Sequence, residues 1–367
     1  MLKKIGFLRL KLRKIMQDSR IKSAYTISEL CVDKELQKLR VKIDLSRQEM
    51  LDVMNLIMSG SLQDNEIEEF LIAMNEKGAS INEISSAASV MRDKSLKFNI
   101  GDGTHIDTCG TGGTGLHIFN CSTASAFVAA ACGARVTKHG NKSISSKTGS
   151  ADFLLEAGAD ISHDRSLLES IFRKTGFIFL FAPLHHSSMR YVMPARQKIG
   201  KKTIFNLLGP HTNPCSARKQ LIGVYKRSLV ETFSSVAKEL QMQHVIVVHG
   251  NDGLDEISIT DDSFISELKD GKIKNYQVSP KDFGLSYGKF ESIKASSPQE
   301  SFEKVSLAFA GREGSVQDMI AINSAAALKL SGIVESMKDG VELSKSAMNE
   351  GLAQSKLESY VKMSNNL

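Results

Sequence analysis

Residues 107–123 read Asp-Thr-Cys-Gly-Thr-Gly-Gly-Thr-Gly-Leu-His-Ile-Phe-Asn-Cys-Ser-Thr, with Gly110, Gly112, Gly113 and Gly115 inside six positions. Glycines let a chain take positive φ and bring backbone N–H groups close to an anion. Residues 106–109 before the loop read as a short strand, and 122–132 after it as a helix of small, mostly apolar residues. Strand, glycine loop and helix start together suit a phosphate, because the helix N-terminus adds free N–H donors and a partial positive charge. The spacing is neither GxGxxG nor GxxxxGK[ST], so the dinucleotide and P-loop fingerprints do not apply. The same glycines would also serve a plain tight turn.

Three further stretches carry chemistry. Lys138-His-Gly-Asn-Lys-Ser-Ile-Ser-Ser-Lys-Thr-Gly-Ser150 follows a strand pattern and offers ammonium groups, hydroxyls and a second helix start. These are what a polyphosphate needs, although a polar loop with an N-cap serine reads the same way. His249-Gly-Asn-Asp-Gly-Leu-Asp-Glu-Ile-Ser258 clusters Asp252, Asp255 and Glu256. Adjacent carboxylates beside phosphates suit Mg²⁺, and Asn-Asp-Gly alone would suit a turn. Residues 181–196 contribute His185, His186, Arg190 and Arg196. Neighbouring histidines do not face one way on a helix, which argues against a metal pair. An arginine near such a cleft could grip a carboxylate bidentately.

The elements that must position these loops change character along the chain. Between 42 and 93 the apolar residues recur at helical spacing, with Ser46…Glu49 and Ser80…Glu83 as capping boxes and Gly60 and Gly78 as stops. From 106 onward strand patterns (106–109, 134–137, 177–181, 221–225, 244–249) alternate with helical ones (122–132, 150–157, 166–175, 229–240). That order implies an α/β domain with a mainly parallel sheet, whose ligands sit beyond the C-terminal strand ends. Residues 260–311 read as a more variable part of the sheet region; 316–330 is an amphipathic helix and 335–362 further helix. The expected domains are a basic extension (1–41), a helical domain (42–104) joined by a middle segment near 185–212, and an α/β domain (105–367).

Composition bounds the setting. The net charge of +6 over 367 residues is concentrated in the first 22, where eight lysines and arginines face Asp18 alone. Such a run could touch nucleic acid or an acidic membrane, but reads as a solvated extension, and it has no apolar core for a secretory signal. Five cysteines without a CxxC pair suggest reduced thiols and a cytoplasmic protein. No run approaches the ~18 apolar residues of a membrane span.

Taken together, from about Leu45 to Leu330, the loops resemble the anthranilate phosphoribosyltransferase family. The resemblance rests on Gly110-Thr-Gly-Gly113, Asn120-Cys-Ser-Thr123, Lys138-His-Gly-Asn141, Ser143-Ile-Ser-Ser146, Phe181-Ala-Pro183, Arg196, Phe205-Asn-Leu-Leu-Gly-Pro210, His249-Gly250 and Gly253-Leu-Asp-Glu-Ile-Ser258. It implies transfer of the ribosyl phosphate of phosphoribosyl diphosphate to the anthranilate nitrogen, the second step of tryptophan synthesis. It also implies a helical domain hinged to an α/β domain, and a homodimer paired through the helical domain, without nucleic acid or membrane partners. By the same resemblance, phosphoribosyl diphosphate would be held by Gly110, Gly113, Thr114, Ile118, Asn120, Cys121, Ser122, Thr123, Lys138, His139, Gly140, Asn141, Lys142, Ser143, Ile144, Ser145, Ser146 and Ser150. Mg²⁺ would fall to Ser122, Asp255 and Glu256, and anthranilate to Gly110, Asn141, His186 and Arg196. Two rivals are a pyrimidine nucleoside phosphorylase-like enzyme, which takes free phosphate, and a non-enzymatic nucleic-acid-binding relative.

Two positions depart from the family pattern: Thr114 where Asp is usual, and Ile118 where a hydroxyl residue is usual. Removing a carboxylate beside a diphosphate removes like-charge repulsion and a polar contact together. Activity is therefore expected to persist with altered donor affinity; a donor Kd for Thr114→Asp equal to the parent's would remove this expectation.

Overall fold

A computed structural model describes residues 32–101, 103–142, 148–162 and 164–366. The basic run of the first 22 residues and Ser143, Ile144, Ser145 and Ser146 lie outside the described residues.

The N-terminal part is a helical bundle. Arg47–Ser59, Asp64–Lys77 and Ile81–Lys94 begin and end where the caps expect. Ser46 Oγ accepts from Glu49 N (3.3 Å) and the Glu49 carboxylate accepts from Ser46 N (3.0 Å). Such a cap contributes about 1 kcal/mol by satisfying N–H groups that the helix leaves open. Met50, Met54, Ile57, Phe70, Leu71 and Ile84 meet in one apolar cluster. Two features differ from expectation. Residues 32–40, expected as extension, form a helix whose Val32, Leu36 and Leu39 enter that cluster. Their spacing is helical, but the basic residues around them masked it. Val192, Ala195, Ile204, Phe205 and Leu208 of the middle segment pack in the same cluster, so this segment is anchored on the bundle.

The larger part is built on seven strands: β1 (Ile106–Gly110), β2 (Val136–Gly140), β3 (Phe177–Phe181), β4 (Lys219–Gly223), β5 (His244–Gly250), β6 (Ser263–Lys269) and β7 (Lys272–Val278). Their order is β3-β2-β1-β4-β5-β6-β7. β1 to β5 run parallel, and β6 and β7 are antiparallel. The mainly parallel sheet was expected; the β6–β7 hairpin was not. β7 is an edge strand whose lysines at 272 and 274 and exposed Asn275 and Gln277 interrupt its half-buried Ile273, Tyr276 and Val278, which weakens its pattern. The overlooked signal was Asp270-Gly271, both at positive φ (49° and 76°), as a two-residue hairpin turn demands.

The chain runs from β1 outward to β2 and β3 and then crosses back to β4 on the other side of β1, so the order reverses at the β1–β4 pair. A parallel sheet opens a crevice at such a switch point, beyond the C-terminal strand ends. Gly110 pairs with Gly223 at that rim. Helices cover the sheet, and Cys121–Ala131 packs against Ser315–Ser331 on one face. Helix Leu229–Glu239 packs against both β5 and the bundle helix Ile81–Lys94. No helix among the described residues is long and apolar enough to cross a membrane.

At the opposite end of the sheet, Glu267 of β6 gathers His244 of β5 (2.7 Å), Tyr276 of β7 (2.7 Å) and Lys329 of Ser315–Ser331 (2.9 Å). Burial alone would raise this carboxyl, but hydrogen bonds from His244, Lys329 and Tyr276 outweigh it and hold it at about 2. A depressed carboxyl adds stability above its unfolded value and loses it as pH falls toward the folded one. Glu267→Gln is expected to destabilise the fold by about 3 kcal/mol at pH 7, since Lys329 then lacks its carboxylate. The gap between variant and parent should narrow between pH 4.5 and 2, followed by denaturant melts across that range.

Candidate active site

The switch-point crevice is a cleft of about 290 Å³. Its floor is the glycine loop after β1, with Gly112, Gly113 and Gly115 at positive φ. One wall is the start of the helix Cys121–Ala131, another the turn after β2, and a third the carboxylate turn after β5. These three turns therefore meet at one rim of the sheet.

Backbone N–H groups point into the cleft from two sources. Gly112 N donates to Asp255 Oδ2 and Ser122 N to Glu256 Oε1, both at 3.1 Å. The glycine loop and the helix start thus already satisfy carboxylate charge, as their chemistry expects. Asp255 and Glu256 are adjacent in sequence and crowded into the cleft wall. Burial raises both carboxyls, and Asp255 beside it helps push Glu256 to about 8. Two like charges in one desolvated place resist joint ionisation unless a cation joins them. Among the described residues no group of three or more His, Cys, Asp or Glu side chains could hold a metal. A cation here would complete its shell with water, the Ser122 hydroxyl or ligand oxygens, which suits Mg²⁺ and not a structural zinc. Asp252 is differently employed: it accepts from Ser258 Oγ (2.5 Å), Thr260 Oγ1 and Leu254 N (3.2 Å), and so shapes the turn.

The expected residues do not all face the cleft. Gly110, Gly113, Thr114, Ile118, Asn120, Ser122, His139, Gly140, Asn141, Lys142 and Ser150 line it. Cys121 also borders it, but its thiol turns away to Ser125 Oγ and the Met319 carbonyl, both at 3.8 Å. Thr123 is fully buried on the inner side of its helix. Lys138 is buried below the cleft, its ammonium donating to the Thr108 carbonyl and to Ser122 Oγ at 3.1 Å. Thr114 Oγ1 accepts from Leu116 N (3.1 Å), stabilising the loop's exit locally. His186 stands behind His139, ring centroids 5.1 Å apart. Burial, with the neighbouring histidine charges, pushes His139 well down and His186 to about 4, so both rings are neutral at pH 7.

The middle segment closes the mouth. Asn206 lines the cleft, and its Oδ1 accepts from Thr203 N (2.9 Å) and from Arg196 (3.4 Å). Arg196 is half-buried beside the Phe205 ring, and burial lowers it. Lys202 reaches across from the same segment to the Gly113 carbonyl (2.7 Å) over the Tyr225 ring. Sequence reasoning missed Lys202, and it missed the apolar wall of Leu116 and Phe119. Nothing in the spacing of Lys202 marks it; its reach depends on how the segment is anchored.

Residues 102–354 match the a/b domain of the glycosyl transferase family, and residues 34–95 match its helical bundle domain. The anthranilate phosphoribosyltransferase of Vesicomyosocius okutanii is 42% identical over 334 residues, which are 91% of this chain and 98% of that protein. The crystal structure of anthranilate phosphoribosyltransferase from Thermus thermophilus superposes with a TM-score of 0.84 at 32% identity, covering 90% of this chain and 99% of that one. The Saccharomyces cerevisiae enzyme, solved in complex with PRPP and Mg, shares the fold at a TM-score of 0.84 and 24% identity, covering 92% and 99%. Similarity of that extent, over both the bundle and the sheet, is membership: the chain belongs to the anthranilate phosphoribosyltransferase family.

Proposed function

We propose that this chain transfers the 5-phosphoribosyl group of phosphoribosyl diphosphate to the nitrogen of anthranilate, giving N-(5-phosphoribosyl)anthranilate and diphosphate. The observation that carries the reading is the meeting of a glycine loop, a helix N-terminus and a half-buried carboxylate pair around one cleft. Diphosphate would lie against the N–H groups of the glycine loop and of the Ser122 turn, with Asn120, Lys142 and Ser150 adding polar contacts. Ser122, Asp255 and Glu256 would hold Mg²⁺, which when bound neutralises the diphosphate leaving group.

Anthranilate is a weak nucleophile, since its ring shares the nitrogen lone pair. An oxocarbenium-like transition state at ribose C1 therefore fits, with no covalent enzyme nucleophile. The protein's task is to orient the leaving group and hold the acceptor nitrogen in line with C1. Arg196 would grip the anthranilate carboxylate, steadied by Asn206 and Phe205, with Asn141 and the Gly110 backbone nearby. The neutral His139 would pack on the acceptor ring, and His186 would act through it. Leu116, Ile118 and Phe119 would keep water from the ribosyl centre. No side chain is assigned as general base.

The chain's division into a helical domain, begun by the 32–40 helix and not at 42, and an α/β domain from 105 belongs to the same reading, as does a homodimer in the cytoplasm with no nucleic-acid partner. The exposed Val41, Ile43 and Ile72 of the bundle support self-association there, and light scattering would return twice the 40.2 kDa chain mass.

Loss of anthranilate fluorescence on adding phosphoribosyl diphosphate and Mg²⁺ tests the function. Chelation should abolish the loss, and phosphorolysis of thymidine or uridine in its place would favour the phosphorylase reading. Arg196→Ala is expected to raise the anthranilate KM roughly 10- to 100-fold, as for a lost charge-assisted hydrogen bond. The donor KM should change far less, and equal effects on both in steady-state kinetics would remove the carboxylate grip.

A further inference from the structure

The turn that carries Asp255 and Glu256 is gripped from two sides by residues that touch neither proposed substrate. On one side stands Gly223, the last residue of β4. A Cβ at this position would lie 1.7 Å from the Asp255 carbonyl oxygen and 3.2 Å from the Asp255 Cβ. The turn rests on the strand's backbone because no side chain intervenes. A glycine ending a central strand is the sequence mark of such a close approach.

On the other side is Asn323, fully buried in the middle of the helix Ser315–Ser331. Its Oδ1 accepts from Ile257 N (3.0 Å), and its Nδ2 donates to the Ile257 carbonyl (2.9 Å). The second Nδ2 proton goes to the Met319 carbonyl (2.9 Å) of its own helix. The amide thus mimics a strand partner for one residue, and that residue adjoins Glu256. A carboxylate here could accept but not donate. An alkyl group could do neither, and would leave a buried N–H and C=O unmet.

The carboxylates' side-chain contacts come from Gly112 N and Ser122 N, the donors that would face the diphosphate. Those contacts compete with a ligand. The grips of Gly223 and Asn323 do not, because both act on backbone outside the cleft. Both carboxyls must be ionised to hold a cation, and two such charges repel, so a turn free to relax would part them.

We propose that Asn323 is a positioning residue for the carboxylate pair: its clamp on Ile257, working against the bare backbone of Gly223, sets Asp255 and Glu256 at the spacing a divalent cation needs. This rests on the metal reading above. Partners that orient metal ligands without touching the metal commonly carry a roughly 10- to 100-fold share of affinity.

The test uses the full chain, with Mg²⁺ titrated calorimetrically in the presence of phosphoribosyl diphosphate, alongside the half-saturating Mg²⁺ in turnover. Asn323→Leu is expected to weaken Mg²⁺ binding roughly 10-fold or more, with the anthranilate KM nearly unchanged. Asn323→Asp should fall between Leu and the parent. Ser324→Ala removes a buried hydroxyl from the adjacent position, bonded to the Ile320 and Ser125 carbonyls, and should leave Mg²⁺ binding unaltered. If Asn323→Leu does not fold, Asn323→Asp, which keeps an acceptor for Ile257 N but loses the donor to its carbonyl, carries the test. The proposal is overturned if Asn323→Leu, or Asn323→Asp in its place, binds Mg²⁺ like the parent, or if Ser324→Ala weakens binding equally. Glu256→Gln separates the layers. If it alone loses Mg²⁺, only the clamp falls; if it too binds like the parent, the metal reading falls and the clamp with it.

Discussion

A buried ammonium group beneath the cleft is the constraint on which the arrangement turns. Lys138 is wholly removed from solvent on β2, and burial pushes its pKa down while Asp107 and Glu256 push it back. Its three protons find the Thr108 carbonyl, Thr108 Oγ1 and Ser122 Oγ. One side chain thereby ties β1, β2 and the start of the helix Cys121–Ala131 together at the switch point. A charge this deep needs opposing charge close by. Asp107 supplies some of it, held by His139 N, Asn213 and Gln220. The carboxylate turn supplies more. The polar layer under the cleft and the acidic wall beside it are therefore one electrostatic unit.

That unit also explains why the cleft suits anions despite its carboxylates. The N–H groups of Gly112 and Ser122 aim at oxygen, and Lys138 adds positive charge from below without entering the cleft. A magnesium-bound diphosphate would bring both kinds of oxygen contact at once. Arg196, the cation proposed for the substrate carboxylate, stands on the middle segment, with Asn206 and the Phe205 ring beside it. In that proposal the two ends of the reaction would be held by different parts of the chain.

Those parts are joined by the packing of Leu229–Glu239 on Ile81–Lys94 and by specific hydrogen bonds. Arg92 of the bundle donates to the His211 carbonyl (2.5 Å) and to Met242 Sδ (3.3 Å). Asn75 donates to the Lys202 carbonyl (2.9 Å), and Lys202 in turn reaches the glycine loop. The bundle therefore positions the mouth of the cleft through the middle segment it anchors. A displacement of the bundle would carry Arg196, Asn206 and Lys202 together.

Local signals were legible in the chain because their physics is local. Ser46 and Ser80 cap helices through partners three residues away, and the apolar strands β3 and β5 declare themselves by composition. The three loops could be named as phosphate and metal candidates from residue types alone. Asp270-Gly271 and the helical spacing of Val32, Leu36 and Leu39 were equally local, and were obscured by the lysines and arginines around them. Which way a side chain turns was not legible. Lys138 and Thr123 face inward, Cys121 faces a distant helix, and Asp252 serves its own turn, because each orientation is settled by neighbours brought in from elsewhere. Asn323 meets Ile257 across 66 residues and Gly112 meets Asp255 across 143. Only packing of the sheet and its helices creates such meetings, since spacing along a chain sets an element's period but not what stands opposite it.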